Sequence, residues 1–401
     1  MRRVRGPGFE LCYSNFGGTL ARAGPLSMQL SRRDCLKTMG VGVAAVAGAK
    51  SMALAAQAVS KTDASKLRMP GLYPGRVISV ENPAVLVSGQ YQAGAVRQMM
   101  RRGMTELAGA GSWVDAWRFF FEPGDVVGIK LNPVGQPLVK SDATVVREII
   151  AGLYAAGVQN KDIVVYDRYR DQFFNAGFDK WLPDGVRTSY AADHYEAIQL
   201  GMDGYDPDHY LDMALTLPGY GIDDVRARRS FAARFITRQV SKLINLPVLK
   251  DHQSAGVTLA LKNLSHGLVN NVSRSHSSST LNACNAFIPA VVSLPVIRNK
   301  AVLHILDGVK GLYDGGPGAR AQFVWEHRTI YFATDPVALD HVGWEVIDDK
   351  RVSVGMKKLF ESMPDRFSTF VHRQPEHVEI AGALGLGVWD RAKIDVRQFK
   401  I

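Results

Sequence analysis

The sequence predicts an α/β fold, a mostly parallel sheet with flanking helices. Two runs of strand length, Asp125–Leu131 and Asp162–Tyr166, are almost entirely apolar, as strands buried on both faces of a parallel sheet usually are. The segment between them opens with the helix-capping pair Ser141 and Asp142 and keeps helical apolar spacing as far as Gly157. This order of strand, helix and strand at short spacing indicates a right-handed crossover between parallel strands.

Other segments extend this pattern along the chain. Further strands are predicted at Arg76–Val80, Lys242–Leu249, Ala301–Leu306 and Thr329–Ala333. A helix is predicted from Asp335 and Pro336 to Val346, because Asp caps a helix and Pro suits its first position. Residues 171–238 are aromatic, acidic and rich in Pro and Gly, so we expect an irregular insertion there.

Length and composition limit the class of protein. A chain of 401 residues with 46% hydrophobic content can bury a large core, which excludes a wholly disordered protein and a small disulfide scaffold. The polar, Pro- and Gly-containing segment 59–75 is typical of a linker. We therefore expect a single α/β domain at 76–401, preceded by a linker at 59–75 and an N-terminal region at 1–58.

The N-terminal region has the parts of an export signal. Ser31 to Lys37 contains paired arginines, and an uncharged run from Met39 to Ala49 and small residues up to Ala58 follow it. The pair resembles a twin-arginine signal, with Cys35 where Phe is usual. The apolar run is too short to span a membrane, so no permanent span is expected. These features predict export by the twin-arginine machinery to the periplasm or the exterior, with Met28 as the natural start; a cytoplasmic protein with an apolar leader is the alternative.

The net charge of +10 belongs largely to this region. Eight Lys and Arg and two acidic residues lie in the first 58 residues, so the remaining 343 carry about +4. That charge is too small for a nucleic-acid-binding surface. Only Cys284 remains of the three cysteines, and one thiol cannot hold a four-cysteine iron–sulfur cluster. We expect no nucleic-acid partner and no iron–sulfur cluster of the chain's own; whether another cofactor binds stays open.

The densest group of chemically capable residues lies between 250 and 267. Lys250 and His252 end a strand, and a helix follows on which Thr258, Lys262 and His266 share one face, with Asn263 beside Lys262. Ligands of open α/β sheets bind at such a strand end beside a helix N-terminus. A solvated helix face is the alternative. His252 and His266 lack the spacing of a helical metal pair and no third ligand is evident, so we expect no metal.

Three further clusters are candidates for binding. Asp307 and the glycines that follow it, including Gly315 and Gly316, suit either an anion-binding loop or a plain connection. Asp340 lies one turn into the helix that Asp335 caps. Lys130 and Asn132 end the early strand at the same expected edge of the sheet, where solvent is the alternative partner of the lysine.

These residues resemble a family known only as domain of unknown function 362. Its motifs match here as a strand ending in Lys-x-His with Thr and Lys-Asn beyond it, an Asp-Gly-x-x-Gly with a Gly-rich turn, an Asp-Pro-Val-Ala-x-Asp, an early Lys-x-Asn and a closing Gly-x-Gly. The residues that carry the match are Lys250, His252, Thr258, Lys262, Asn263, Asp307, Gly308, Gly311, 315–318, 335–340, Lys130, Asn132, Gly385 and Gly387. The resemblance covers roughly residues 125–397, and Asp251 stands where the family usually has Thr.

The resemblance implies an α/β protein without an assigned reaction, in a family some of whose members are fused to ferredoxin-like modules. The convergence of these residues, independently of the resemblance, predicts an enzyme acting on a small anionic or carbonyl substrate. Lys250, His252 and Lys262 are the expected catalytic residues, and substrate contacts are expected from Lys130, Asn132, Thr258, Asn263, Asp307, Gly315, Gly316 and Asp340. The alternative is a non-catalytic binding or assembly factor for an exported iron–sulfur redox system, with a redox protein as its partner.

Overall fold

The computed structural model describes residues 66–401, which belong to one compact unit, Val59–Ile401. The predicted export signal, the upstream extension and the start at Met28 lie outside the described residues. The described part of the expected linker, residues 66–75, packs against the domain through buried Met69 and half-buried Leu72 and Tyr73.

Nine α-helices and fourteen strands make up the described chain. The helices are α1 (Ala93–Ala108), α2 (Trp113–Arg118), α3 (Ala143–Ala155), α4 (Arg170–Asn175), α5 (Leu259–Leu268), α6 (Cys284–Val292), α7 (Pro295–Arg298), α8 (Pro336–Ser353) and α9 (His377–Ala383). The strands are β1 (Arg76–Glu81), β2 (Leu86–Val87), β3 (Gln90–Tyr91), β4 (Val127–Lys130), β5 (Ile163–Tyr166), β6 (Arg187–Ser189), β7 (Tyr205–Asp212), β8 (Arg229–Ala233), β9 (Lys242–Asn245), β10 (Val248–His252), β11 (Gly256–Val257), β12 (Ala301–Leu312), β13 (Val324–Ala333) and β14 (Asp395–Lys400).

A ten-stranded sheet organises the domain, in the order β14-β1-β13-β12-β9-β4-β5-β6, with β10 and β11 joined beside β12. Most neighbours are parallel, while β13 runs antiparallel to both β1 and β12. The predicted fold class, α/β with a mostly parallel sheet and flanking helices, is confirmed.

Apolar residues on the two faces of the sheet belong to two separate cores. Alternate side chains of β5 show this, because Ile163 and Val165 join one core while Val164 and Tyr166 join the other. Helices α1, α2 and α3 cover the first face, and α5, α6 and α8 cover the second. The continuous apolar runs in the sequence therefore reflect strands buried on both faces.

Three sequence predictions need correction. The predicted strand Lys242–Leu249 is two strands, β9 and β10, because Pro247 has no N–H for a continuous ladder. Strand β12 continues six residues past Leu306 through the expected glycine loop, since Gly308 and Gly311 pair with β13. The segment 171–238 is not wholly an insertion: β6 extends the main sheet, whereas β7 and β8 form a separate hairpin.

Candidate functional site

A cleft of about 100 Å³ lies at the carboxyl edge of the sheet. The ends of β4 and β9 are in register there, with Lys130 opposite Asn245, and β5 ends alongside at Tyr166. Helix α5 crosses this edge. The residues that line the cleft are Lys130, Asn132, Pro133, Val134, Asp167, Arg168, Tyr169, Gln172, Lys250, His252, Thr258, Lys262, Asn263, His266, Gly267 and Pro317.

Lys130 is a buried cation with a carboxylate partner. Its Nζ lies 2.5 Å from Asp167 Oδ1, and it also donates to the carbonyl of Leu131. Burial lowers the pKa of Lys130, and the charge of Asp167 opposes that shift. Gly267 on α5 gives the lysine its space, since a Cβ there would lie 2.2 Å from Lys130 Cε.

A chain of side-chain amides connects the strand ends to α5. Asn132 Nδ2 donates to Asn263 Oδ1 at 3.1 Å, and Asn263 Nδ2 donates to Asn245 Oδ1 at 2.8 Å. Asn245 in turn donates to the carbonyl of Ala260 at 3.1 Å. Because each amide is buried and bonded, the network fixes the orientation of Asn132 and Asn263 at the floor of the cleft.

Lys250 is buried and bonded only to uncharged oxygens. Its Nζ donates to Asn132 Oδ1 at 3.0 Å, to the carbonyl of Val134, and to the carbonyl of Pro317 at 3.4 Å. Burial, followed by the nearby charge of Lys262, lowers the pKa of Lys250 to about 7. The amine is therefore partly neutral near neutral pH, unlike an ordinary lysine.

The hydrogen bonds of His252 determine its tautomer. Ring Nδ1 accepts from the backbone N–H groups of Ser254 at 3.1 Å and Ala255 at 3.3 Å, so the proton of the neutral ring sits on Nε2. Burial lowers the pKa of His252 well below its usual value, and the charge of Lys262 adds to this. The neutral ring is therefore a donor through Nε2, which bonds to none of residues 66–401.

Lys262 is the cation of the cleft that has no partner. The residue is 7% exposed, and its Nζ makes no hydrogen bond or ion pair within the described chain. Burial lowers its pKa to about 8. Thr258, one turn earlier, lies at the N-terminal end of α5 and also lines the cleft. A buried amine without a counter-charge at a cleft wall is a candidate anion-binding group.

Asp340 occupies the helix N-terminus where the sequence placed a ligand. Its carboxylate accepts from the N–H groups of Ala260 at 2.7 Å and Leu261 at 2.8 Å. The anion-binding position at the start of α5 is thus filled by the protein itself, and the cleft lies along the side of the helix. Leu259 beside it has φ 42°, a strained conformation for a branched side chain.

The other sequence-predicted binding residues also lie away from the cleft. Asp307 accepts from Tyr91 Oη at 3.0 Å and from the N–H of Asp142 at 3.1 Å, near the start of α3. Gly315 lies in the turn after β12, and the N–H of Gly316 donates to Asp251 Oδ1 at 2.9 Å. The structure thus brings together seven predicted residues: Lys130, Asn132, Lys250, His252, Thr258, Lys262 and Asn263.

Asp251, the departure from the family pattern, does not line the cleft, although its charge opposes the lowering of the pKa of Lys250. It points to the other side of β10, where Arg373 Nη1 lies 3.0 Å from its carboxylate. Arg373 also pairs with Asp314 at 2.8 Å, and Arg351 pairs with Asp314 at 2.7 Å. Burial raises the pKa of Asp251, and the charge of Arg373 opposes that rise. The charges of the two arginines therefore balance those of Asp251 and Asp314 within this buried network.

The structure also reveals residues that the sequence reasoning missed. Asp167 and Arg168 directly follow β5, and the rule that ligand sites lie at carboxyl strand ends could have indicated them. No sequence signal pointed to Asn245. The sequence spacing offered only His252 and His266 as metal ligands, whereas the structure groups His266 with His276 and Cys284, with ligand atoms within 4.8 Å of one another.

The fold and the cleft define an α/β protein with a lysine-rich pocket at the carboxyl edge of its sheet. The family model described as "Domain of unknown function (DUF362)" matches residues 127–345, and the chain belongs to this family. The resemblance to this family that the sequence motifs indicated is thereby confirmed. Among curated proteins, none matches significantly.

A crystal structure of a protein from Thermotoga maritima resembles the chain distantly. It shares 9% sequence identity, and the match covers 58% of this chain and 54% of that one, with a TM-score of 0.28. A likeness at this level does not establish a shared fold or function.

In the described chain, no helix is both long and apolar enough to cross a membrane.

Proposed function

We propose that the protein is an enzyme that binds a small anionic or carbonyl substrate in the cleft at the carboxyl edge of the sheet. The observation that carries this proposal is Lys262, whose buried amine has no partner among residues 66–401. Buried charges in proteins are normally paired, because removing an ion from water costs several kcal/mol. A bound carboxylate or phosphate would supply the missing counter-charge.

The proposed chemistry depends on two neighbouring groups. Lys250, with its pKa lowered to about 7, can hold either a charged or a neutral amine, and the neutral form is a nucleophile towards carbonyl groups. His252 offers an Nε2–H group that can polarise a carbonyl oxygen or stabilise the negative charge that forms on it. In this proposal Lys262 binds the anionic end of the substrate.

The size of the cleft limits the substrate. Its volume is about 100 Å³, which suits a small organic acid. A second cavity of about 340 Å³ shares Arg168 and Tyr169 with the cleft, so a longer substrate would extend in that direction.

The experiment that tests the proposal compares the wild-type protein with Lys262→Met. We expect sulfate and pyruvate to raise the melting temperature of the wild type and not that of the variant. The variant alone is expected to be more stable by about 1 kcal/mol, because Met replaces an unpaired buried amine. Lys161→Met, at an exposed lysine, serves as the control and should change neither property.

A trapping experiment tests the carbonyl chemistry. Pyruvate with cyanoborohydride should add covalently to Lys250 in the wild type, and Lys250→Met should abolish the adduct. If pyruvate and sulfate bind neither protein, or bind wild type and Lys262→Met equally, the proposed substrate class is wrong. An unreactive protein that copurifies with one redox protein would favour the assembly role instead.

We also propose export by the twin-arginine route, which rests on the sequence of residues 31–58 alone. Replacing Arg32 and Arg33 by Lys should retain the precursor in the cytoplasm on cell fractionation. Replacing Arg2 and Arg3 by Lys is the matched control and should have no effect if Met28 is the start. Equal distribution of both variants and the wild type would contradict the proposal.

A further inference from the structure

Three side chains that the proposed chemistry does not use lie close together, and one of them, His266, lines the cleft. His266 lies on α5, His276 follows the short helical turn Ser273–Ser275, and Cys284 is the first residue of α6. One ligand atom from each lies within 4.8 Å of the others. Three separate elements of the fold thus place two imidazoles and one thiol around one point.

We propose that His266, His276 and Cys284 bind a transition-metal ion, with Zn²⁺ as the best match. Two imidazoles and a thiolate are ligands of borderline and soft metals, and the absence of a carboxylate among the three disfavours Mg²⁺ and Ca²⁺. Three protein ligands leave the fourth position of a tetrahedral site to water or substrate, as in catalytic zinc sites.

The surroundings of the cluster are those of a supported metal site. Ser265 Oγ lies 2.9 Å from His266 Nδ1 and orients that ring, so that Nε2 faces Ser275 inside the cluster. Cys284 is fully buried and has only long contacts to its Sγ, at 3.6 Å from Ser254 Oγ and 3.7 Å from the carbonyl of Ser275. It is also the single cysteine of residues 66–401, so no disulfide competes for it there.

Ser275 connects the two imidazoles of the cluster. Its Oγ lies 3.1 Å from His266 Nε2 and 3.0 Å from His276 Nδ1, and it donates its proton to the carbonyl of Val272 at 2.7 Å. Both rings can therefore donate to this hydroxyl. A metal ion would replace these two hydrogen bonds by ligand bonds and would take the proton from the thiol.

The location connects the metal site to the cleft. His266 lines the cleft, and the ring of His276 lies 5.9 Å from the ring of His252. The metal site is defined by the three ligands and does not rest on the proposed function, although the charge of Lys262 acts on all three. A protein that binds metal but no anion would therefore refute the function and retain the site.

Cobalt titration of the full chain tests the proposal. Co²⁺ is the probe, because a tetrahedral site gives visible absorption and a thiolate ligand adds a charge-transfer band in the near ultraviolet. The parent protein carries Cys12→Ser and Cys35→Ser, so that Cys284 is its single thiol. We expect one Co²⁺ per chain, with both spectral features and displacement by Zn²⁺.

Four variants distinguish metal binding by the cluster from hydrogen bonding alone. Cys284→Ser should remove the charge-transfer band, and His276→Ala should lower Co²⁺ affinity by more than about 100-fold, since loss of an outer partner alone costs 10–100-fold. Ser275→Ala removes the hydrogen-bond centre and should still bind Co²⁺. His341→Asn, a histidine outside the cluster, should leave the spectrum unchanged.

Two results would overturn the proposal. The first is a parent protein that is folded by circular dichroism and takes up no Co²⁺ or Zn²⁺ at micromolar concentration. The second is Co²⁺ binding whose spectrum and affinity are the same in the parent, Cys284→Ser and His276→Ala. Because the first result needs only the parent protein, a variant that fails to fold does not weaken the test.

Discussion

Lys130 shows how a single glycine can determine the position of a charge in the cleft. The Nζ of Lys130 reaches Asp167 only because Gly267 has no side chain at the point where α5 passes over the lysine. A helical glycine is otherwise unfavourable, costing about 1 kcal/mol relative to Ala. The local requirement for space outweighs the helix propensity at this position.

This relationship predicts that Gly267→Ala destabilises the protein by about 1–3 kcal/mol, because the new Cβ displaces Lys130 from its buried carboxylate partner. Chemical denaturation measures the effect. Gly94→Ala, at a helical glycine with open space around it, is the control and should be neutral or stabilising.

A double-mutant cycle identifies the cause. In a Lys130→Ala background the side chain that clashes is absent, so Gly267→Ala should cost much less than in the wild type. An equal cost in both backgrounds would show that Lys130 is not the residue that Gly267 accommodates.

Helix α5 depends on α8 for the hydrogen bonds of its first turn. Asp340 lies within α8 and binds two N–H groups at the N-terminus of α5, a buried contact between residues 80 positions apart. This helix and the residue that precedes it place three side chains in the cleft, those of Thr258, Lys262 and Asn263. The carboxylate of Asp340 therefore positions the site without contacting the cleft.

We expect Asp340→Ala to destabilise the fold by about 2–3 kcal/mol, since it leaves two buried N–H groups without an acceptor. It should also weaken sulfate binding by displacing Lys262. Asp340→Asn, which keeps one acceptor oxygen, should show a smaller loss of stability. Asp349→Asn, at an exposed position of the same helix, is the control, and an equal effect of the two Asn variants would contradict the role of Asp340.

The elements differ in how far the sequence could predict them. Strands β4 and β5 and helix α3 follow from apolar runs and a capping pair, because their local patterns agree with their burial. Strand β12 was predicted too short because Gly308 and Gly311 favour loops locally. Only the pairing with β13 reveals the strand, and the ring of Trp325 covers Gly311 so closely that no Cβ would fit.

The sequence could likewise predict only part of the site. Lys250, His252, Lys262 and Asn263 belong to one motif in a continuous stretch of sequence, so their proximity was predictable. Asp340 and Asp307 have equally polar motifs, but whether they face the cleft depends on how helices and strands pack, and both bind backbone N–H groups elsewhere. The grouping of His276 and Cys284 with His266 depends on the path of a loop, which spacing does not determine.

At the scale of the whole molecule, the cleft should respond to pH through Lys250. Its pKa is lowered from 10.5 to about 7, so its charge is present below about pH 7 and is lost as the pH rises through that value. Sulfate keeps its charge over this range. Lys262, whose pKa is about 8, loses part of its charge at the upper end of the same range. We expect sulfate affinity to fall by about tenfold or more from one unit below the pKa of Lys250 to one unit above it, as measured by calorimetry.

One control variant and one contradicting result complete this prediction. Lys250→Met, which has no titratable amine, should give weaker binding whose pH dependence is reduced. A wild-type affinity that is constant across this pH range would show that Lys250 keeps one protonation state or does not contribute to binding.

The parallel pairing of β1 with β14 affects the order in which the sheet can form during synthesis. Arg76 lies opposite Asp395, and Glu81 opposite Lys400, so the first strand of the sheet gains this neighbour only after more than 300 further residues have been translated. Asp335 also connects early and late segments of the chain, because its carboxylate accepts hydrogen bonds from the N–H groups of both Gly75 and Val388. During synthesis, β1 therefore lacks this neighbour until β14 has been translated, and that edge of the sheet closes late.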